Sequence, residues 1–195
     1  GRATPRMAET PSGILNSIGL QGPGIEQFLE VDIPWLQKKG ARVIVSIAGE
    51  SVEDYASLAR RLRNIPNLSG VEVNISCPNV ENRGLVFACD PTASRSVVDA
   101  VRRNLGGEFP IIVKLSPDVT DIVSIAREVV QAGADGLALI NTVLGMVIDV
   151  DAQRPKLAGM TGGLSGPAIR PIAVRAIYQV HAALPNTPIL GMGGV

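Results

Sequence analysis

Five short runs of apolar, largely β-branched residues alternate along the chain with longer segments of helical periodicity. Each run is nearly continuously apolar, which is typical of parallel strands that are covered on both faces. This alternation constrains the fold more than any other feature, and it predicts an α/β fold with a parallel sheet. The predicted strands are Val43–Ile47, Val71–Ser76, Ile111–Leu115, Gly136–Ile140 and Pro188–Gly191.

The segments between these strands carry the start signals of amphipathic helices. Ser51 and Asp54 match a capping box, and Asp90-Pro91 places a capping aspartate before a first-turn proline. Two further helices are predicted over about 119–133 and 167–184. Strands and helices therefore follow one another as a repeated β/α series.

A repeated β/α series either closes into a (β/α)8 barrel or lies open as a doubly wound sheet. No G-x-G-x-x-G pattern follows the first strand, which weakens the dinucleotide-binding sheet. A barrel needs eight strands and about 250 residues, whereas this chain has 195 residues. It also starts without Met and stops at Gly193-Gly194-Val195, directly after a strand-like run. We therefore predict one domain over residues 1–195, an incomplete TIM barrel with about five of the eight β/α units, truncated at both ends.

Composition argues against several classes of function. The 18 acidic and 18 basic residues balance, and aromatic residues make up 3% of the chain, so nucleic-acid binding is not expected. The longest apolar runs are strand-sized, too short to span a bilayer. Cys77 and Cys89 show no CxxC spacing, and His181 is the single histidine, so no metal site is expected. Reduced thiols and a cytoplasmic location are the corresponding predictions.

Polar residues or glycines follow each predicted strand, and in a barrel the carboxyl ends of the strands meet at one mouth. Lys114 lies within an apolar strand, where a cation must be paired, reach water or hold an anion. Cys77 is either a small packed residue or a base, since a thiol titrates nearer neutrality than a hydroxyl. Cys89 is expected to pack. The strand-end residues are Ser46, Asn74, Cys77, Lys114, Asn141, Thr142, Gly193 and Gly194.

About 25 residues between Ile140 and Pro167 show little helical periodicity, and an interruption of this length is usually functional. It includes the glycine-rich segment Gly162–Gly166, directly before a predicted helix. Glycines let backbone N–H groups approach a phosphate, and the helix start adds the positive end of its dipole. Gly193-Gly194 is a second such turn. Plain turn glycines are the alternative interpretation, but we predict a phosphate site.

Motifs in family order along nearly the whole chain resemble the dihydroorotate dehydrogenase family, class 1, and most closely its B type. They are 16–21 (NSIGLQ), Asn74–Asn79, 113–117 (VKLSP), 119–121 (VTD), 139–142 (LINT), Gly162–Gly166 and 191–194 (GMGG). The resemblance implies an FMN-containing (β/α)8 barrel that oxidises (S)-dihydroorotate to orotate in de novo pyrimidine biosynthesis. The family's early strands, which carry a substrate-binding lysine, would lie outside residues 1–195. The final strand of the family's barrel would also lie outside this range.

The resemblance also implies roles for individual residues. Cys77 matches the catalytic base, which removes the C5 proton while a hydride passes from C6 to the flavin. The residues that match FMN-binding positions are Ser46, Asn74, Lys114, Ile140, Gly166, Gly193 and Gly194. Those that match substrate-binding positions are Asn16, Ser17, Ile18, Gly19, Leu20, Asn74, Asn141 and Thr142. The implied partner is an electron-transfer subunit with FAD and an iron–sulfur cluster, which passes electrons to NAD, and the catalytic subunit is expected to be a homodimer.

The chain departs from the family pattern at four positions. Ser46, Gly22 and Asp118 stand where the family usually has Asn, and Ala88 stands where it usually has Gly. Two alternative functions remain open. One is a barrel of the dihydropyrimidine dehydrogenase type that reduces uracil or thymine, and the other is a non-catalytic barrel that binds a phosphorylated ligand.

Overall fold

The computed structural model describes residues 1–66, 68–76, 87–106 and 109–195. The strands in chain order are β1 (Met7–Thr10), β2 (Gly13–Asn16), β3 (Val43–Ile47), β4 (Leu68–Asn74), β5 (Ile111–Lys114), β6 (Gly136–Leu139), β7 (Val143–Met146), β8 (Ile148–Asp149), β9 (Arg154–Pro155), β10 (Thr161–Ser165) and β11 (Ile189–Gly191). The α-helices are α1 (Ile25–Gln27), α2 (Ile33–Lys38), α3 (Val52–Leu62), α4 (Pro91–Leu105), α5 (Ile122–Gln131) and α6 (Arg170–Ala183). A π-helical turn (Phe28–Asp32) joins α1 to α2, and 3₁₀ turns occupy Phe87–Cys89 and Pro167–Ile169.

Five parallel strands form the central sheet, in the order β11-β6-β5-β4-β3. All five predicted strands are confirmed, although β4 begins at Leu68, three residues before its predicted start. One face of the sheet is fully buried, as at Val71, Val113 and Leu137, and packs in one core with apolar residues of α3–α6. The α/β class predicted from the alternation is therefore confirmed.

The helix start signals act as predicted. The Ser51 hydroxyl accepts from Asp54 N, and the Asp54 carboxylate accepts from Ser51 N at 2.9 Å, which completes a capping box. Asp90 caps α4 through the N–H groups of Thr92 and Ala93. These caps satisfy backbone donors that the first helical turn leaves unpaired. Within the described ranges, no helix is both long enough and apolar enough to cross a membrane.

The other face of the central sheet is open. Ile44 on β3 is 52% exposed and Leu190 on β11 is 48% exposed, so both edge strands present apolar side chains on this face. The five strands do not close into a barrel. We refer to this surface as the open face.

The predicted long interruption between Ile140 and Pro167 contains four short strands. It supplies β7 and β10, which join β1 and β2 in an antiparallel sheet of order β1-β2-β10-β7. The predicted glycine-rich turn Gly162–Gly166 is strand over its first four residues, since Gly162 and Gly163 lie in β10 between two paired strands, and only Gly166 lies directly before the helical turn. Phosphate binding by this segment stays a prediction. A Cβ on Gly162 would lie 2.6 Å from the Asn16 carbonyl oxygen, so the glycine is needed for close strand packing.

Candidate active site at the strand ends

A cavity of about 560 Å³ lies where the carboxyl ends of the parallel strands face the antiparallel sheet. This volume falls within the usual range for small-molecule sites, and the location is the one at which parallel α/β folds build them. Ile18 is the one predicted substrate-binding residue that does not line the cavity. The others, which tertiary folding brings together here, are Asn16, Ser17, Gly19, Leu20, Asn74, Asn141 and Thr142.

A chain of hydrogen bonds holds two of the cavity amides in position. Asn141 Nδ2 donates to Ser76 Oγ at 2.6 Å, and Ser76 Oγ donates to Asn74 Oδ1 at 2.7 Å. Thr142 N donates to Asn141 Oδ1 at 2.8 Å. With its Oδ1 occupied in this way, Asn74 keeps both N–H donors of its amide for a ligand. The strand ends therefore present oriented donors to the cavity.

Ser76 was not singled out from the sequence, although it lies at the centre of this chain of bonds. It is buried, and its own N–H also donates to Asn74 Oδ1 at 3.2 Å, which makes a local turn of the Asx kind. Asn followed two residues later by Ser at a strand end is a signal that could have indicated this turn.

We expect Ser76→Ala to lower the free energy of unfolding by about 1–3 kcal/mol, because it leaves the half-buried Asn74 and Asn141 amides without their shared partner. Urea denaturation followed by circular dichroism measures this change. Ser69→Ala is the matched control, since Ser69 is an exposed serine on the same strand. Equal effects of the two substitutions would contradict the structural role of Ser76.

The predicted base Cys77, with Pro78 and Asn79, lies outside the described residues, so its catalytic role stays a prediction. Ser76, the residue before Cys77 in the sequence, lines the cavity. Cys89 also lines the cavity and is exposed, so the expectation that it packs is wrong. Partial burial, and to a smaller extent the nearby Asp118 carboxylate, raise the pKa of the Cys89 thiol. Cys89 is consequently a poorer base near neutral pH than an ordinary cysteine.

Lys114 and Asn74 are neighbours in register on β5 and β4. Lys114 is half-buried, and the described residues give its ammonium group no hydrogen bond or ion pair. On the same open face Ser46 Oγ donates to Glu72 Oε1 at 2.8 Å. Glu72 was missed in the sequence, although an acid inside an apolar strand was a usable signal. Lys114 is therefore available to bind an electron-rich ligand. The Ser46 hydroxyl, by contrast, already donates a hydrogen bond to Glu72.

Three predicted glycines meet at the start of α6. Gly166 and Gly194 have φ angles of 99° and 73°, a region that favours glycine. A Cβ on Gly194 would lie 2.7 Å from the Gly166 carbonyl oxygen and 3.0 Å from Arg170 N. Ile140 joins this cluster, since its Cγ1 would lie 3.4 Å from a Cβ on Gly193. Closely packed glycine backbone at a helix start is the arrangement that binds phosphate elsewhere.

Two departures from the family pattern have different surroundings. A Cβ on Gly22 would meet nothing within 4 Å, so the position has room for a side chain. The Asp118 carboxylate accepts from Leu144 N at 2.9 Å, and its own N–H donates to Ser116 Oγ at 3.1 Å. Asp118 therefore ties the loop after β5 to the start of β7. The side chain of Ala88 lies outside the described part of the chain.

Comparison with known proteins agrees with this geometry. A family described as Dihydroorotate dehydrogenase matches residues 1–195. Curated relatives named "Dihydroorotate dehydrogenase B (NAD(+)), catalytic subunit" include those of Anoxybacillus flavithermus, 50% identical over 195 residues, and of Geotalea daltonii, 51% identical over 195 residues. The alignments cover 100% of this chain and 62% and 63% of those relatives, so the chain spans less than two thirds of their length. With its whole length matched, the chain belongs to the dihydroorotate dehydrogenase family.

Proposed function

We propose that the protein containing this chain oxidises (S)-dihydroorotate to orotate in de novo pyrimidine biosynthesis. The observation that carries the proposal is the cavity at the strand ends, lined by the amides of Asn16, Asn74 and Asn141. Lys114, which has no ion-pair partner among the described residues, is the neighbour of Asn74 in register. Membership of the dihydroorotate dehydrogenase family supports it. On this proposal the chain is part of a single FMN-binding (β/α)8 barrel.

The cavity suits a flat pyrimidine whose edge alternates N–H and C=O groups. Asn74 offers two N–H donors to ring carbonyl oxygens. Asn16 Nδ2 donates to the Gly163 carbonyl at 3.4 Å, which leaves Asn16 Oδ1 to accept from a ring N–H. Orienting the ring in this way supplies a large part of the catalytic effect, because the reacting atoms are held in place.

The described residues fit FMN. The glycine cluster of Gly166, Gly193 and Gly194 would hold its phosphate, since these residues lie at the start of a helix and carry no side chain that would cover the backbone N–H groups. The FMN ring would contact Asn74, Lys114 and Ile140. It would also contact Ser46, which lies on the open face of the sheet. When bound, FMN supplies an acceptor for a hydride from C6 of the substrate.

We assign proton removal at C5 to the Cys77 thiolate. The C5–H electron pair forms the ring double bond as the hydride leaves C6, so the product is orotate and the thiol carries the proton. Lys114 would stabilise negative charge that develops beside it when FMN is bound, because a fixed cation in a partly dry site lowers the energy of that charge. The bonds from Ser76 keep the amides aligned while this occurs.

For the complete enzyme we propose a homodimer of catalytic subunits in the cytoplasm, with a partner subunit that carries FAD and an iron–sulfur cluster and passes electrons to NAD. The support is the printed name of the relatives, which describes a catalytic subunit and NAD(+).

Anaerobic mixing of the flavin-loaded protein with dihydroorotate tests the activity. We expect the yellow flavin absorbance to bleach with dihydroorotate and to persist with dihydrouracil. Bleaching by dihydrouracil alone would instead support a dihydropyrimidine dehydrogenase type of activity. A flavin that neither compound reduces would contradict the proposal and favour a non-catalytic barrel.

A further inference from the structure

Glu72 places a carboxylate on the open face of the central sheet. It lies in β4 between Val71 and Val73, which are fully buried on the other face, and it is half-buried itself. The Ser46 hydroxyl donates to Glu72 Oε1 at 2.8 Å. In the described parts of the chain no cation forms an ion pair with Glu72. Its negative charge is therefore left uncompensated on a face where the side chain is partly withdrawn from water.

The strand register places Glu72 beside the residues proposed to contact the FMN ring. Ser46 is its partner in register on β3. Asn74 follows two residues later on β4 and is in register with Lys114 on β5. Side chains two residues apart on a strand point to the same face, so these four side chains share the open face. Two strand spacings, about 10 Å, separate β3 from β5, which is similar to the length of a three-ring flavin.

The Ser46 hydroxyl cannot offset the charge of Glu72 towards a ligand. Its single proton is used in the bond to Glu72, so towards a flavin its oxygen can only accept. Lys114 lies on the neighbouring strand, but Lys114 and Glu72 form no ion pair with each other. The open face therefore carries a negative and a positive group that do not neutralise one another.

Flavin reduction changes the charge next to these two groups. Dihydroorotate loses a hydride from C6 and a proton from C5, and the proposed base takes the proton. The ring thus gains two electrons and one proton, which adds one negative charge to it. A fixed anion nearby disfavours that charge, and a fixed cation favours it. At an effective dielectric constant of about 20, a unit charge about 10 Å away changes the balance of oxidised and reduced ring roughly tenfold.

We propose that the Glu72 carboxylate, held in place by the Ser46 hydroxyl, lowers the reduction potential of FMN bound at the strand ends. The inference rests on the proposed function and adds to it a residue that sets how readily the flavin is reduced. A lower potential makes the reduced flavin a stronger electron donor, which suits a flavin that must pass its electrons to a nicotinamide acceptor. Lys114 acts in the opposite direction.

Anaerobic redox titration of the flavin-loaded protein, against a dye of known potential and followed by flavin absorbance, tests this inference. We expect Glu72→Gln, which has nearly the same shape without the charge, to favour the reduced flavin about tenfold. For a two-electron couple this is an upward shift of about 30 mV. Glu72→Met should shift the potential in the same direction, whereas Glu72→Asp keeps the charge and should stay near the unsubstituted value. The matched control is Glu30→Gln, which removes an exposed carboxylate from the π-helical turn and should leave the potential unchanged.

The outcomes separate this inference from the activity on which it rests. An unchanged or lower potential in Glu72→Gln or Glu72→Met overturns the role of Glu72, and the proposed function stands if dihydroorotate still bleaches the flavin of the unsubstituted protein. An equal upward shift in Glu72→Asp or Glu30→Gln also overturns that role, because the shape of the site or the net charge would then be responsible. If dihydroorotate fails to bleach the unsubstituted protein, the proposed function fails, whereas the titration still decides the role of Glu72.

Discussion

Cys77→Ser is expected to slow flavin reduction by dihydroorotate by a factor of about 10²–10⁴ near neutral pH, while the protein stays yellow. A serine hydroxyl is much less acidic than a thiol and is almost never ionised at this pH, so the C5 proton loses its acceptor. The proposed FMN site consists of other residues, mainly the glycines at the start of α6. Anaerobic stopped-flow measurement of flavin bleaching, repeated from mildly acidic to mildly basic pH, gives the rate and its pH dependence.

Cys89→Ser is the matched control for this experiment. It removes the other thiol of the chain, which lines the strand-end cavity and whose pKa is raised by burial and by Asp118. We expect near-normal reduction rates in this variant. If Cys77→Ser reduces the flavin at an undiminished rate across the whole pH range, Cys77 is not the base. A larger loss of rate in Cys89→Ser than in Cys77→Ser would show the same.

Gly194→Ala is expected to abolish most FMN binding, with an affinity loss of at least about tenfold, equivalent to about 1.4 kcal/mol. The new Cβ would lie 2.7 Å from the Gly166 carbonyl oxygen and 3.0 Å from Arg170 N, so the backbone of the proposed phosphate site would have to shift. The φ of 73° adds a strain of about 1–2 kcal/mol for any residue with a Cβ. Fluorescence titration of the flavin-free protein with FMN measures the affinity.

The Gly40→Ala variant distinguishes the effect of steric crowding on FMN affinity from the effect of backbone strain. Gly40 has a similar φ of 67°, but a Cβ there would meet nothing within 4 Å. This variant should therefore lose about 1 kcal/mol of stability and keep its FMN affinity. If both alanine variants bind FMN as the unsubstituted protein does, the phosphate does not lie at the Gly166–Gly194 cradle.

The central sheet was predictable because its signals are local. Runs such as Gly136–Ile140 are apolar over their whole length, and caps such as Asp90 act on N–H groups two or three residues away. Each of these features depends on near neighbours in the chain, so a single sequence reveals it.

The antiparallel sheet was not predictable in the same way. Strand β10 pairs with β2, whose residue Asn16 lies 147 positions before Gly163, and nothing near Gly162 in the sequence reveals that contact. A glycine pair before a helix fits a phosphate turn and a crowded strand equally well. The close approach of the Asn16 carbonyl oxygen to Gly162 in the folded protein shows that this glycine lies in a crowded strand.

The sequence alone therefore determined the α/β class, the five parallel strands and the residues that follow them, because periodicity and capping are short-range properties. The tertiary structure decided which of those residues meet. It joined Asn141 to Ser76 and Asn74, and it brought Arg2 and Asp118 into the wall of one cavity. Such contacts depend on packing between segments far apart in the chain, where shape and burial select partners that no local pattern records.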